Sequence, residues 1–98
     1  MIGTGVLEST VFDARAQRLA ALGDPTRLRI LHVLRRGALC VCELRNRVEV
    51  APNLLSYHLK VLRDAGVIEG TRRGRWIDYR VIPGVLEELG RALTGGIP

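Results

Sequence analysis

A mainly α-helical chain with one β-hairpin is the predicted fold class, in the order helix, helix, helix, helix, strand, strand, helix, with two copies joined through the terminal helices. Three observations predict it. Apolar residues recur at helical spacing through most of the chain, a tight turn at Val48 to Pro52 joins two of those helices, and after Gly66 the pattern changes to two short strand-like runs around an arginine-rich turn. Helix, turn, helix and then hairpin is a helix-turn-helix followed by a β wing.

The first helix spans Leu7 to Leu22, where Leu7, Val11, Phe12, Leu19 and Leu22 make one apolar stripe. Gly23 ends it. Asp24-Pro25 opens the second, because aspartate caps a helix and proline tolerates the first helical position. This helix is expected to run to about Arg36, with Leu28, Leu31 and Leu34 inward and Arg27, Arg35 and Arg36 in solvent. After Gly37 the cysteine stretch ALCVCEL leads into a brief third helix with Leu44 and Val48 on one side. Pro52 opens a fourth, in which Leu55, Leu59 and Leu62 recur before Gly66 supplies the stop. VIEG and WIDYRVI then flank the turn TRRGR as two strands. A last helix from Pro83 to Leu93 aligns Val85, Leu86, Leu89 and Leu93.

No repeat, low-complexity segment or long linker divides the chain. Residues 1–98 therefore read as one domain, with 40–66 the helix-turn-helix, 67–82 the wing, and 1–22 and 83–98 dimerisation helices. Ninety-eight residues bury only a modest core, and two striped terminal helices offer more apolar surface than one subunit covers. A homodimer on a palindromic site is the expected assembly.

Composition points to the partner. Hydrophobic residues make up 47% of the chain, as in a globular protein, and the net charge is +5 with a pI near 10.2. That charge is mostly arginine, which suits phosphate and guanine contacts, so double-stranded DNA is the expected partner. No apolar run reaches the roughly 20 residues that span a bilayer, and the first residues lack a signal-peptide pattern. A cytoplasmic location with no membrane partner is expected. Ser56 and His58 both fall on the recognition helix with no acid placed to orient the histidine, so an enzyme is not expected.

A recognition helix meets base edges with its N-terminal residues. Here those are Asn53, Leu54, Ser56, Tyr57 and His58. Asparagine pairs with adenine through two hydrogen bonds, and Leu54 suits a thymine methyl. His58 sits beside Leu55, Leu59 and Leu62, which favours a partly buried ring over a base reader. Lys60, one turn on, suits a phosphate. Arg72, Arg73 and Arg75 at the hairpin tip suit a phosphate backbone or an A·T-rich minor groove. Trp76 and Tyr79 read as packing, since 4% aromatic content is too little for a single-strand binder.

Four blocks in order, ALGDPTRLRILHVL, LCVCEL, LLSYHLKVLRDAGVI and RRGRWIDYRV, resemble the ArsR/SmtB family of winged-helix metal-responsive repressors over residues 17 to 82. The resemblance implies a homodimer that sits on an operator and leaves when a toxic ion binds. It also implies that Cys40 and Cys42, the chain's two cysteines, are the ion's ligands. The sequence departs from the family in three ways: Arg45 stands where an arsenic-sensing third cysteine would, the N-terminal region has no cysteine, and residues 83–98 have no histidine.

Soft thiolates suit As(III), Sb(III), Cd(II) and Pb(II). Two thiolates with an open third position, filled by water, a small thiol or Glu43, suit pyramidal As(III) or Sb(III) best, with Cd(II) or Pb(II) the alternative effectors. No catalytic cofactor is expected. Residues i and i+2 of a regular helix lie about 200° apart, so both sulfurs grip one ion only where the backbone is, or becomes, non-helical. The sequence also accommodates a thiol-redox sensor, although an i,i+2 disulfide is strained, and a constitutive DNA-binding module whose cysteines are inert.

Overall fold

The computed structural model describes residues 2–95, with side chains from residue 10 onward. The elements are α1 (Ile2–Leu22), α2 (Pro25–Leu34), β1 (Leu39–Cys40), α3 (Val41–Arg47), α4 (Pro52–Asp64), β2 (Ile68–Arg73), β3 (Trp76–Val81) and α5 (Val85–Leu93). The expected order holds, with β1 added.

Asp24 caps α2 as its sequence suggests. The residue is extended, its carboxylate accepts the Arg27 N–H at 3.1 Å, and Pro25 follows at the first helical position. The inward face of α2 differs from expectation. Leu28 is 53% exposed, and Ile30 takes the inward place with Leu31 and Leu34. At about 100° per residue, the stripe Arg27, Ile30, Leu31, Leu34 leaves Leu28 outside its arc. Arg27 is therefore half-buried rather than solvated. Its Nε donates to the Ala21 carbonyl at 2.7 Å and its Nη1 to His58 Nδ1 at 3.1 Å, joining α1, α2 and α4.

Leu44 and Val48 of the third-helix region and Leu55, Leu59 and Leu62 of α4 are all buried, as their spacing predicts, and pack with Ile30, Leu34, Val67, Ile68 and Tyr79 in one cluster. Fully burying such a side chain contributes roughly 1.5–3 kcal/mol, so these leucines fix α4 to the body of the molecule. A Schellman motif ends α4. Gly66 adopts φ +76°, its N–H donates to the Arg63 carbonyl at 3.0 Å, and the Val67 N–H donates to the Leu62 carbonyl at 3.0 Å.

The chain then enters the wing. β2 and β3 pair antiparallel around Gly74-Arg75, where Gly74 has φ +62° and supplies the positive dihedral that a two-residue hairpin turn needs. The sequence reading gave two strands, but the sheet has three, ordered β1-β3-β2, with Leu39 opposite Tyr79 and Cys40 opposite Asp78. A two-residue strand has no alternation to read, and only its pairing with β3 defines it. Residues directly opposite share a face, so Leu39, Tyr79, Gly70 and Ile68 lie on one side and Cys40, Asp78, Thr71, Arg73 and Trp76 on the other.

At the ends of the chain, Val11, Phe12 and Leu19 of α1 and Leu93 of α5 are exposed, whereas Val85 and Leu89 are buried and Leu22 and Leu86 are half-buried. The Leu7 side chain and residues 96–98, assigned above to the terminal helices, lie outside what is described. No helix among the described residues is long and apolar enough to cross a membrane.

Candidate nucleic-acid interface and thiol pair

Burying Leu55, Leu59 and Leu62 turns the opposite side of α4 outward. Asn53, Ser56, Tyr57 and Lys60 follow at i, i+3, i+4 and i+7 and are all exposed on one face, with Leu54 exposed at its edge. The residue before the helix, Ala51, offers no side-chain acceptor, and Pro52 has no N–H. The Asn53 and Leu54 amides are thus left to solvent or to a bound anion.

Two of the sequence-derived residues are engaged elsewhere. The His58 side chain is 12% exposed, with its Nδ1 3.1 Å from Arg27 Nη1 and 3.9 Å from an Asp24 carboxylate oxygen. It braces α4 against α2 and stands apart from the exposed face. Lys60 is exposed, but its ammonium meets the Asp64 carboxylate at 2.9 Å, which holds that carboxyl below its ordinary range. A phosphate can compete for so open a contact.

The three wing arginines also divide. Arg72 makes one long hydrogen bond, 3.3 Å from its Nε to the Gly74 carbonyl, and Arg75 is exposed at the turn. Arg73 instead donates twice to Asp78, from Nε at 2.7 Å and Nη2 at 3.1 Å. Each partner favours the other's charged form: the Asp78 carboxyl is held low, chiefly by the hydrogen bond from Arg73, and the Arg73 guanidinium is held high, first by Asp78 and more weakly by Cys40 and Glu43. Asp78 escaped the sequence reading. Its signal was a charge two residues beyond the one facing Arg73 across the hairpin, readable only once the register is known.

The thiols sit where β1 passes into α3. Cys40 is buried, and Cys42 is exposed in the first helical turn. Cys40 is the N-cap residue, extended at φ −79°, ψ 166°, and its N–H donates to Glu43 Oε1 at 3.2 Å. Glu43 stands at the third helical position, so C-V-C-E fills the place of a capping box, with a carboxylate at the positive end of the helix. The non-helical backbone required for a shared ligand is already present at one cysteine. Among the described residues, no three His, Cys, Asp or Glu side chains group closely enough to hold a metal ion.

The family model described as bacterial regulatory protein, arsR family, matches residues 24–69, from the cap of α2 into β2. The arsenic resistance transcriptional regulator of Pseudomonas putida is 41% identical over 75 residues, which cover 76% of this chain and 59% of that protein. This chain therefore spans less than two thirds of that relative's length. An uncharacterized helix-turn-helix transcriptional regulator of Methanocaldococcus jannaschii is 32% identical over 80% of this chain and 89% of its own. Among solved structures, an ArsR-like transcriptional regulator from Rhodococcus sp. RHA1 superposes with a TM-score of 0.81 at 31% identity, covering 88% of this chain and 81% of that one. All three are transcriptional regulators by name, in agreement with the expectation that the chain is not an enzyme. Such similarity along most of the chain, added to a winged helix-turn-helix of the expected form, places the protein in the arsR family of bacterial regulatory proteins.

Proposed function

We propose that the chain is a transcriptional repressor that binds operator DNA as a homodimer and is released when As(III) or Sb(III) binds Cys40 and Cys42. The observation that carries this reading is the position of the thiols: one caps α3 and the other lies in its first turn, at the start of the helix-turn-helix. The arsenic named in the Pseudomonas putida relative supports the choice of effector.

On DNA, the exposed face of α4 enters the major groove, with Asn53, Leu54, Ser56 and Tyr57 toward base edges and Lys60 toward a phosphate. Arg72 and Arg75 reach the backbone or minor groove from the wing. The exposed Val11, Phe12 and Leu19 of α1 and Leu93 of α5 are covered by the second subunit.

Arsenous acid condenses with the two thiols: As(OH)3 and two S–H groups give two As–S bonds, one retained As–OH and two waters. Both thiol protons leave in those waters, so the site gains no charge. The cost is geometric. Cys40 Sγ turns from its buried place toward Cys42, which opposes the Cys40 N–H bond to Glu43 and the pairing of β1 with β3. A coupling of about 1–3 kcal/mol weakens operator binding roughly 5- to 150-fold.

Fluorescence anisotropy on a promoter fragment, titrated with As(III), Sb(III), Cd(II), Pb(II) and Zn(II) under reducing conditions, tests the reading. Release by arsenite or antimonite, lost in Cys40→Ser/Cys42→Ser, is expected. Release of that double variant by arsenite contradicts the site, and release by cadmium or lead alone contradicts the effector. A thiol-redox reading draws on the exposure of Cys42, and its mark is release by peroxide without any ion.

A further inference from the structure

The row of side chains on the outer face of the sheet runs from the thiol site to the wing. Cys40 stands directly opposite Asp78 in the β1–β3 pairing, and Asp78 stands directly opposite Thr71 in the β2–β3 pairing. Directly opposed residues place their Cβ atoms about 4.5–5.5 Å apart on one face. Arg73 lies two residues beyond Thr71, on the same side, and grips the Asp78 carboxylate with two hydrogen bonds of 2.7 and 3.1 Å. The Asp78 side chain is 23% exposed, against 62% for Arg73, so the carboxylate is the fixed partner and the guanidinium the movable one. Trp76, the chain's single tryptophan, pairs with Arg73 across the hairpin on that face.

We propose that Asp78 and Arg73 are positioning residues that transmit the occupancy of Cys40 to the wing. The inference rests on the metalloid reading above and specifies how its release is carried out. In the free protein, β1 holds Asp78 in register and Asp78 holds Arg73, which fixes the hairpin that presents Arg72 and Arg75. Drawing Cys40 toward Cys42 pulls β1 away from β3 at the residue facing Asp78. The Asp78–Arg73 clamp then shifts, and the wing moves off the DNA backbone. This route reaches the wing without passing through α4. It adds a second consequence to the loss of the α3 cap.

Three readouts on the full chain separate the outcomes: arsenite binding by near-ultraviolet thiolate absorption, Trp76 emission, and operator affinity with and without arsenite. In the wild type, arsenite changes the Trp76 emission and releases the operator. Asp78→Asn keeps the shape of the side chain and removes its charge. This variant should bind arsenite at the wild-type stoichiometry, yet lose at least half of both the emission change and the release factor. Asp78→Glu, which restores the carboxylate, should recover both. If Asp78→Asn keeps the wild-type emission change and release factor, the coupling role is overturned while the metalloid reading stands. If the wild type gives no thiolate absorption with arsenite, both fall together.

Discussion

Asp24, Asp64 and Asp78 each keep a carboxyl below its ordinary value of 3.8, the first chiefly through the Arg27 backbone N–H and the others through hydrogen bonds from Lys60 and Arg73. A folded-state pKa lower than the unfolded one stabilises the protein above the unfolded value. That contribution is lost as the pH falls through the depressed values. Urea midpoints measured from about pH 6 to about pH 2 should therefore hold level and then decline below about pH 4, with a shallower decline in Asp24→Ala. The thiol site was legible at this scale only in part. C-V-C-E shows its two sulfurs at once, but cysteine is not among the usual capping residues, so Cys40 did not announce itself as the N-cap. The glutamate three residues later was the available sign. Arg27 was misjudged for a related reason: a charged side chain at an inward helical position is half-buried when its neighbours supply acceptors, here the Ala21 carbonyl and His58.

Each element owes its place to a few buried side chains, and α4 most of all. Leu55→Ala removes a side chain with no exposed surface and should cost about 2–5 kcal/mol in a denaturant titration, with operator binding lost in proportion to the unfolded fraction. Asn53→Ala on the outward face should leave stability unchanged and cost about 1–3 kcal/mol of discrimination at a single base pair. Arg72→Ala and Arg75→Ala should each lower the slope of log affinity against log salt by about 0.9, one phosphate contact apiece, and an unchanged slope in either variant would contradict that contact. The α4 stripe was plain in the sequence because three leucines at spacings of four and three admit one inward face. The α2 stripe was not, since Leu28 and Ile30 compete for it and only packing into the shared core decides. β1 was hidden, because its existence depends on a strand nearly forty residues later.

The whole molecule presents the groups proposed to face DNA on α4 and the wing, and the terminal helices leave Val11, Phe12, Leu19 and Leu93 uncovered. Phe12 is 61% exposed, with Arg15 stacked 5.5 Å above its ring, a placement that suits an interface between two copies. Phe12→Asp should shift sedimentation from dimer toward monomer and weaken binding to a palindromic operator while the far-ultraviolet helix signal persists. An unchanged dimer would move the interface elsewhere. At the junction of β1 and α3, the cap of a seven-residue helix and the edge of the sheet share one residue, Cys40. In the proposed function, effector binding there acts on both structures proposed to hold DNA. Amide hydrogen exchange at Cys40 and the first turn of α3, measured with and without arsenite on the operator-bound protein, tests this most directly. Faster exchange at the Cys40 N–H on arsenite binding, accompanied by release of the operator, is the predicted result. Arsenite held by both thiols with the Cys40 N–H protected as before, and the protein still on its operator, would contradict it.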